Sequence, residues 1–114
     1  MRIQAERGFS APPEVVFNTA IDPDRAAAWL PAQLRTDGAP GAEVRTEDLD
    51  VRWRGPEPAD WSARLCVSPI DAGGARVRLE LATESGLSDQ RLRVIADESL
   101  ASLAREVADN FTAG

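Results

Sequence analysis

The sequence contains no histidine, no tyrosine and a single cysteine, Cys66. Without histidine, the usual zinc sites and the Ser–His and Cys–His nucleophile pairs are excluded. One cysteine cannot form a disulfide within the chain and is typical of the cytoplasm, which is the location we expect. No glycine pattern of the phosphate-cradling kind is present, and we expect neither a cofactor nor a bound metal.

Lysine is also absent, so that all positive charge comes from arginine. The 13 arginines stand against 19 acidic residues and leave a net charge of −6. This balance disfavours a nucleic-acid surface, and we expect no nucleic-acid partner. No apolar run is long enough to cross a bilayer, and residues 1–10 lack a signal-peptide core, so we expect no membrane insertion. The length of 114 residues predicts one domain over residues 1–114.

The first thirty residues predict a strand followed by two short helices. Arg2 to Phe9 alternate between apolar and polar side chains, which is typical of a half-buried strand. Pro12-Pro13-Glu14 suits the first turn of a helix that carries apolar residues up to Ile21. Asp22-Pro23 starts a second helix, with Asp22 as its cap, and Pro31 ends it.

Turn sequences at regular spacing divide the middle of the chain into antiparallel strands. Turns are predicted at residues 37–41, 55–58 and 71–74, and strands lie between them in Ala42–Arg54, Trp61–Ile70 and Ala75–Thr83. Val44 is out of phase with residues 49–53, which predicts a bulge or turn near Glu47-Asp48. Residues 33–36 are a candidate for one more short strand, and we expect five to seven strands.

The C-terminal segment predicts a long amphipathic helix from Ile95 to Phe111. Its apolar residues recur at three- and four-residue spacing, and Ser88 or Asp89 can cap its start. Arg93 lies on the apolar flank and Val94 on the polar side. The pattern therefore predicts that residues 90–94 form an extended or distorted lead-in. The helix cannot bury its apolar stripe alone and needs the sheet as a packing surface.

The order of these elements is that of the helix-grip fold. The sharpest similarity lies in Phe9 to Phe17, followed by Asp22-Pro23 and Ala28-Trp29-Leu30-Pro31. On these residues the chain resembles the START/Bet v1-like superfamily (SRPBCC), the polyketide cyclase/dehydrase and lipid-transport group. The resemblance implies an α+β fold with a curved antiparallel sheet wrapped around the C-terminal helix. It also implies a cavity between them for a hydrophobic or aromatic molecule, such as a lipid or polyketide.

Three functions follow from this resemblance. The first is binding of such a small molecule. The second is an enzyme of the cyclase/aromatase type, for which the common proton donors histidine and tyrosine are missing. The third is a dimeric or chaperone-linked interaction module with a collapsed cavity, which the short chain favours.

Candidate ligand contacts lie on the inward-facing side of the predicted elements. They are Phe17, Trp29, Trp53, Trp61, Leu65, Leu79, Leu103 and Val107, and Arg7 adds a polar contact. Apolar stripes of this kind are more often plain core, and Trp29 is alternatively a plug that packs the short helices onto the sheet. Buried tryptophans need a partner for the indole N–H, which suits them to a polar-tipped pocket. No residue is assigned a catalytic role.

Arg7 shares the phase of Ile3, Ala5 and Phe9, so the alternation points it to the concave side of the sheet. A guanidinium keeps its proton and is costly to bury unpaired. Arg7 therefore either extends to a wet rim or anchors a ligand oxygen. The other strand arginines alternate with the apolar set, and we expect them on a solvated outer face, paired across strands with Asp50 and Glu80.

Overall fold

The computed structural model describes residues 2–31, 34, 41–54, 61–84 and 86–113. Residues 37–40 of the turn predicted at 37–41, the turn predicted at 55–58, and residues 33, 35 and 36 of the candidate extra strand lie outside these ranges. The strands are β1 (Arg2–Phe9), β2 (Gly41–Arg45), β3 (Asp50–Arg54), β4 (Trp61–Pro69) and β5 (Ala75–Thr83). The helices are α1 (Pro13–Ile21), α2 (Pro23–Trp29) and α3 (Asp89–Ala113).

The strands form one antiparallel sheet in the order β1-β5-β4-β3-β2. Strands β2 to β5 pair with their neighbours in sequence, whereas β1 adds to the far side of β5. The helices α1 and α2 connect β1 to this meander, and α3 packs against β1, β5 and both short helices. The predicted α+β helix-grip architecture, with a curved sheet around a long final helix, is confirmed with five strands in the described ranges.

The two short helices begin where their prolines predict. Pro13 opens α1, and Pro23 opens α2 after the cap residue Asp22, whose carboxylate accepts a hydrogen bond from the Asp24 N–H at 2.9 Å. This bond satisfies one of the N–H groups that a helix leaves unpaired at its start. The second helix ends at Trp29, just before the predicted stop at Pro31.

The final helix is longer than its pattern predicts. It begins at Asp89, with the Ser88 hydroxyl accepting from the Arg91 N–H at 3.2 Å, so the predicted lead-in at residues 90–94 is wrong. The two residues that break the amphipathic pattern, Arg93 and Val94, both lie on the surface of this helix. Val94 remains 47% exposed, and Arg93 donates to the Gln4 carbonyl of the edge strand β1 at 3.4 Å. None of the described helices has the length and apolar character needed to cross a membrane.

The segment 42–54 folds back on itself as a hairpin of β2 and β3. The predicted turn near Glu47-Asp48 is confirmed as a 3-10 turn over Thr46–Asp48. Leu49 follows it with φ of 51°, a left-handed conformation that is uncommon for a leucine. Val44 is opposite Val51 in the register, but it remains 42% exposed on the edge strand.

Candidate functional site

Most of the predicted inward-facing residues form the hydrophobic core. Six of them are no more than 2% exposed: Phe17, Trp29, Trp53, Leu65, Leu79 and Leu103. Val107 is 4% exposed, and Trp61 is half-buried at the start of β4. The alternation thus assigned the inner face correctly, and the structure brings these residues together from α1, α2, the sheet and α3 as one packed cluster.

Trp29 joins the short helices to the sheet. Its indole N–H donates to the Ala20 carbonyl at 3.2 Å, which satisfies the polar atom inside the core. Its ring meets Trp53 of β3 edge-to-face, with the ring centroids 5.2 Å apart and the planes at 77°. The side chain therefore occupies the position of the plug proposed as its alternative role.

Arg7 lies on the inner face of the sheet, as its phase predicts, but at the open end of β1. In the register it is opposite Val77, whose side chain is fully buried. It borders a groove of about 340 Å³ between the end of β1 and the second half of α3. The groove walls are largely apolar and include Phe9, Ala104 and Val107. Arg7 and Val107 are thus the two predicted ligand contacts that meet at this groove.

The guanidinium of Arg7 is exposed and forms no ion pair or hydrogen bond with another described residue. It offers five N–H donors in a planar fork and cannot act as a proton acceptor. Ser10 provides a hydroxyl in the same groove. Within the described lining of the groove there is no carboxylate or thiol, so its chemistry suits binding of an oxygen more than acid–base catalysis.

Polar contacts that are partly buried connect α3 to the two short helices, and the sequence reasoning missed them. The Thr19 hydroxyl of α1 donates to the Val15 carbonyl at 2.7 Å and accepts from the Asn110 side-chain amide at 2.9 Å. Arg25 of α2 pairs with Glu106 at 3.3 Å. Thr19 is fully buried, so its bonds hold the two helices at a defined spacing. No residue pattern marks such long-range pairs in advance.

The outer face of the sheet carries a second polar cluster. Asp50 is only 6% exposed and accepts from both the Nε and Nη2 groups of Arg64, at 3.1 and 2.8 Å. This hydrogen-bonded guanidinium lowers the pKa of Asp50 although burial opposes the shift. Burial and the Asp50 charge raise the pKa of the Cys66 thiol, whose sulfur lies 3.8 Å from the carboxylate. Cys66 is therefore a protonated neighbour of the pair and a poor nucleophile.

We expect this pair to make stability depend on pH. Because the folded-state pKa of Asp50 is lowered, its contribution is present above the ordinary aspartate pKa of about 3.9 and is lost as pH falls through the folded value. Asp50→Asn should therefore reduce the free energy of unfolding by about 1–2 kcal/mol at neutral pH, a moderate value because Arg64 is partly exposed. Urea unfolding of both proteins between pH 7 and 2 measures the difference.

The difference between wild type and Asp50→Asn should begin to shrink below about pH 4, where Asp50 of the unfolded chain becomes protonated, and should disappear as pH falls through the lower folded-state pKa. Glu6→Gln is the matched control, since Glu6 pairs with Arg78 at 2.9 Å on the exposed part of the same face. It should change stability by less than about 0.5 kcal/mol. A gap between wild type and Asp50→Asn that is constant down to pH 2 would contradict the assignment.

The comparisons with known proteins identify the fold. The chain matches no protein-family model and no curated protein sequence. Its structure is similar to the Zhui aromatase/cyclase from Streptomyces sp. R1128, with 11% identity, a TM-score of 0.65, and coverage of 94% of this chain and 90% of that one. It is also similar to the AHSA1-like protein from Aeromonas hydrophila, with 16% identity, a TM-score of 0.69, and coverage of 95% of this chain and 92% of that one. A third similar structure is that of Ara h 8.0201, with 13% identity, a TM-score of 0.63, and coverage of 98% of each chain.

These neighbours all have helix-grip folds of the SRPBCC type. The expected resemblance is therefore confirmed at the level of the helix-grip fold, and at identities of 11–16% the similarity shows the fold alone.

Proposed function

We propose that the protein binds a small hydrophobic or aromatic molecule carrying an acid or ketone oxygen, in the groove between the end of β1 and α3. The observation that carries the proposal is Arg7, which has no ion-pair partner among the described residues and borders a groove with apolar walls. A volume of about 340 Å³ lies at the lower end of the range of small-molecule sites.

In this arrangement the two parts of the ligand have different partners. The apolar body packs against Phe9 and Val107, which removes apolar surface of both from water. The ligand oxygen accepts from the Arg7 fork, and a carboxylate takes two parallel bonds from it. The polar contact fixes the orientation of the ligand, while apolar burial supplies the larger part of its affinity.

The chemical class of the ligand is proposed from two sources. The groove combines apolar walls with one cation, which suits an aromatic acid, a polyketide-like chain or a lipid. Some structural neighbours are described as aromatase/cyclases, among them one domain of the BexL protein from the BE-7585A biosynthetic pathway. The prediction that interior residues such as Phe17 and Leu65 contact the ligand is untested. These side chains are fully buried, so a ligand could reach them only if the packed interior opened.

Arg7→Met is expected to weaken binding of an aromatic carboxylic acid by about 10- to 150-fold, which corresponds to about 1.5–3 kcal/mol for a charge-assisted hydrogen bond. Methionine roughly keeps the stem and removes the fork. Because Arg7 is exposed, the free energy of unfolding should hardly change. Titration of wild type and variant with a fluorescent aromatic acid measures the affinities.

Arg91→Met is the matched control for this titration. Arg91 is exposed in the first turn of α3 and is not part of the groove, so its loss removes the same charge without the contact. It should leave the affinity within about twofold, since distant exposed charges are screened by salt. Equal affinities of wild type and Arg7→Met would remove the polar anchor and refute the proposal.

A second candidate function is a dimeric or chaperone-linked interaction module in the cytoplasm. It is favoured by the close packing of the interior, where Phe17, Trp29 and Trp53 are almost fully buried. Native mass spectrometry of protein purified from its source organism separates the two. A retained ligand supports binding, a dimer without added mass supports the module, and turnover of an added polyketide supports an enzyme.

A further inference from the structure

The outer face of the sheet contains a groove of about 410 Å³ that the proposed function does not use. Its depth follows from two small outward-facing residues, Ser62 of β4 and Ala82 of β5, which lie opposite each other in the register. Longer charged side chains surround this low area. They are Arg2, Arg52, Arg54, Arg64, Glu43 and Glu80.

Two of the arginines are already held by carboxylates. Arg2 pairs with Glu80 through its Nε at 3.0 Å, and Arg64 pairs with the nearly buried Asp50 at 2.8 Å. Gln4 also donates to Glu80, at 3.2 Å. These contacts fix the walls of the groove, and they neutralise both carboxylates.

Arg52 and Arg54 are different, because neither forms an ion pair with a described carboxylate. They lie two residues apart on the same face of β3, which separates their Cα atoms by about 6.6 Å. Arg52 is directly opposite Arg64, whose charge is already offset by Asp50. Arg54 is directly opposite Ser62, whose hydroxyl adds a further donor.

We propose that this outer groove binds a phosphate-bearing small anion, held by the Arg52 and Arg54 guanidinium groups and the Ser62 hydroxyl. Paired guanidinium groups present planar forks that match phosphate oxygens. A nucleic-acid backbone needs a longer run of cations, and Glu43 and Glu80 interrupt the face. The site lies on the opposite face of the sheet from the Arg7 groove, so each proposal stands or fails without the other.

The test uses the whole chain and inorganic pyrophosphate as the probe, with binding measured by calorimetry at low salt. Wild type should bind, and affinity should fall as salt is raised. The double variant Arg52→Gln/Arg54→Gln should bind at least about 100-fold more weakly, at about tenfold for each lost charge-assisted contact. Its melting temperature should be equal or higher, which shows that the loss of binding is not unfolding.

Two single variants make the result specific. Glu43 faces Arg52 across β2 and β3, so Glu43→Gln should tighten pyrophosphate binding by removing a competing negative charge. Arg76→Gln removes an exposed arginine from the same face outside the groove and should leave affinity within about twofold. An equal loss in Arg76→Gln, or no loss in the double variant, would overturn the proposal.

The source of the phosphate is decided by a parallel sedimentation assay with vesicles containing phosphatidic acid. Binding of pyrophosphate alone identifies a soluble ligand. Vesicle binding that disappears in Arg52→Gln/Arg54→Gln identifies a lipid headgroup with the same chemistry. Binding of neither probe by wild type refutes the site.

Discussion

Trp29→Ala is expected to reduce the free energy of unfolding by about 3–5 kcal/mol, as large-to-small changes in a packed core do. Trp29 is 1% exposed, meets Trp53 edge-to-face and donates to the Ala20 carbonyl at 3.2 Å. Alanine removes all three contributions at the point where α1, α2 and β3 meet. Urea unfolding monitored by far-ultraviolet circular dichroism measures the loss.

Two variants separate the contributions. Trp29→Phe keeps an aromatic ring but leaves the Ala20 carbonyl without its donor, which should cost about 1–3 kcal/mol. Trp61→Ala removes a half-buried tryptophan at the start of β4 and should cost less than Trp29→Ala. A loss below about 1 kcal/mol in Trp29→Ala would show that its ring borders an open cavity, as the ligand-wall hypothesis requires, and does not act as a plug.

The sequence pattern predicted the elements of the fold correctly where the spacing of apolar residues matches the side that is buried. The alternation in β4 and β5 placed Leu65 and Leu79 inside, and both are fully buried. Asp22-Pro23 marked the start of α2 because a cap and a proline each have a local physical cause. Such signals depend on a few neighbouring residues and need no knowledge of tertiary contacts.

One prediction, the lead-in at residues 90–94, was wrong, and other details of the structure were not visible in the sequence. In the first turns of α3, where the amphipathic pattern is broken, Arg93 donates to the Gln4 carbonyl on the edge of the sheet at 3.4 Å, a partner 89 positions away in sequence. Leu49 adopts a left-handed conformation without the glycine or asparagine that usually marks one. Asp50 was correctly placed on the outer face, but its burial depends on how Arg64 lies over it.

The candidate site was predictable in part for the same reason. The phase of β1 placed Arg7 on the inner face, and its register partner Val77 is buried there. The alternation of residues along β1 does not show which part of the sheet α3 leaves uncovered. The position of the groove therefore follows only from the packing of α3 on β1. Likewise, two outward arginines in β3 are visible in the sequence, but the small residues that open a groove beside them come from β4 and β5.

Leu103→Ala is expected to destabilise the protein by about 2–5 kcal/mol, because the residue lies in the packed stripe of α3. The predicted burial of Leu103 against the core is confirmed, with 0% of its side chain exposed. If the cavity between sheet and helix were hollow at this point, fewer contacts would be lost and the cost would lie near the lower limit or below it. Urea unfolding at neutral pH measures the change.

Val94→Ala is the matched control on the same helix, since Val94 is 47% exposed. It should change stability by less than about 0.5 kcal/mol, as surface substitutions usually do. An apolar acid added to wild type and to Leu103→Ala distinguishes the two ligand positions. Binding in the Arg7 groove raises the stability of both proteins alike, whereas binding at Leu103 changes with the new cavity. A loss below about 0.5 kcal/mol in Leu103→Ala would mean that this face of α3 does not pack on the sheet.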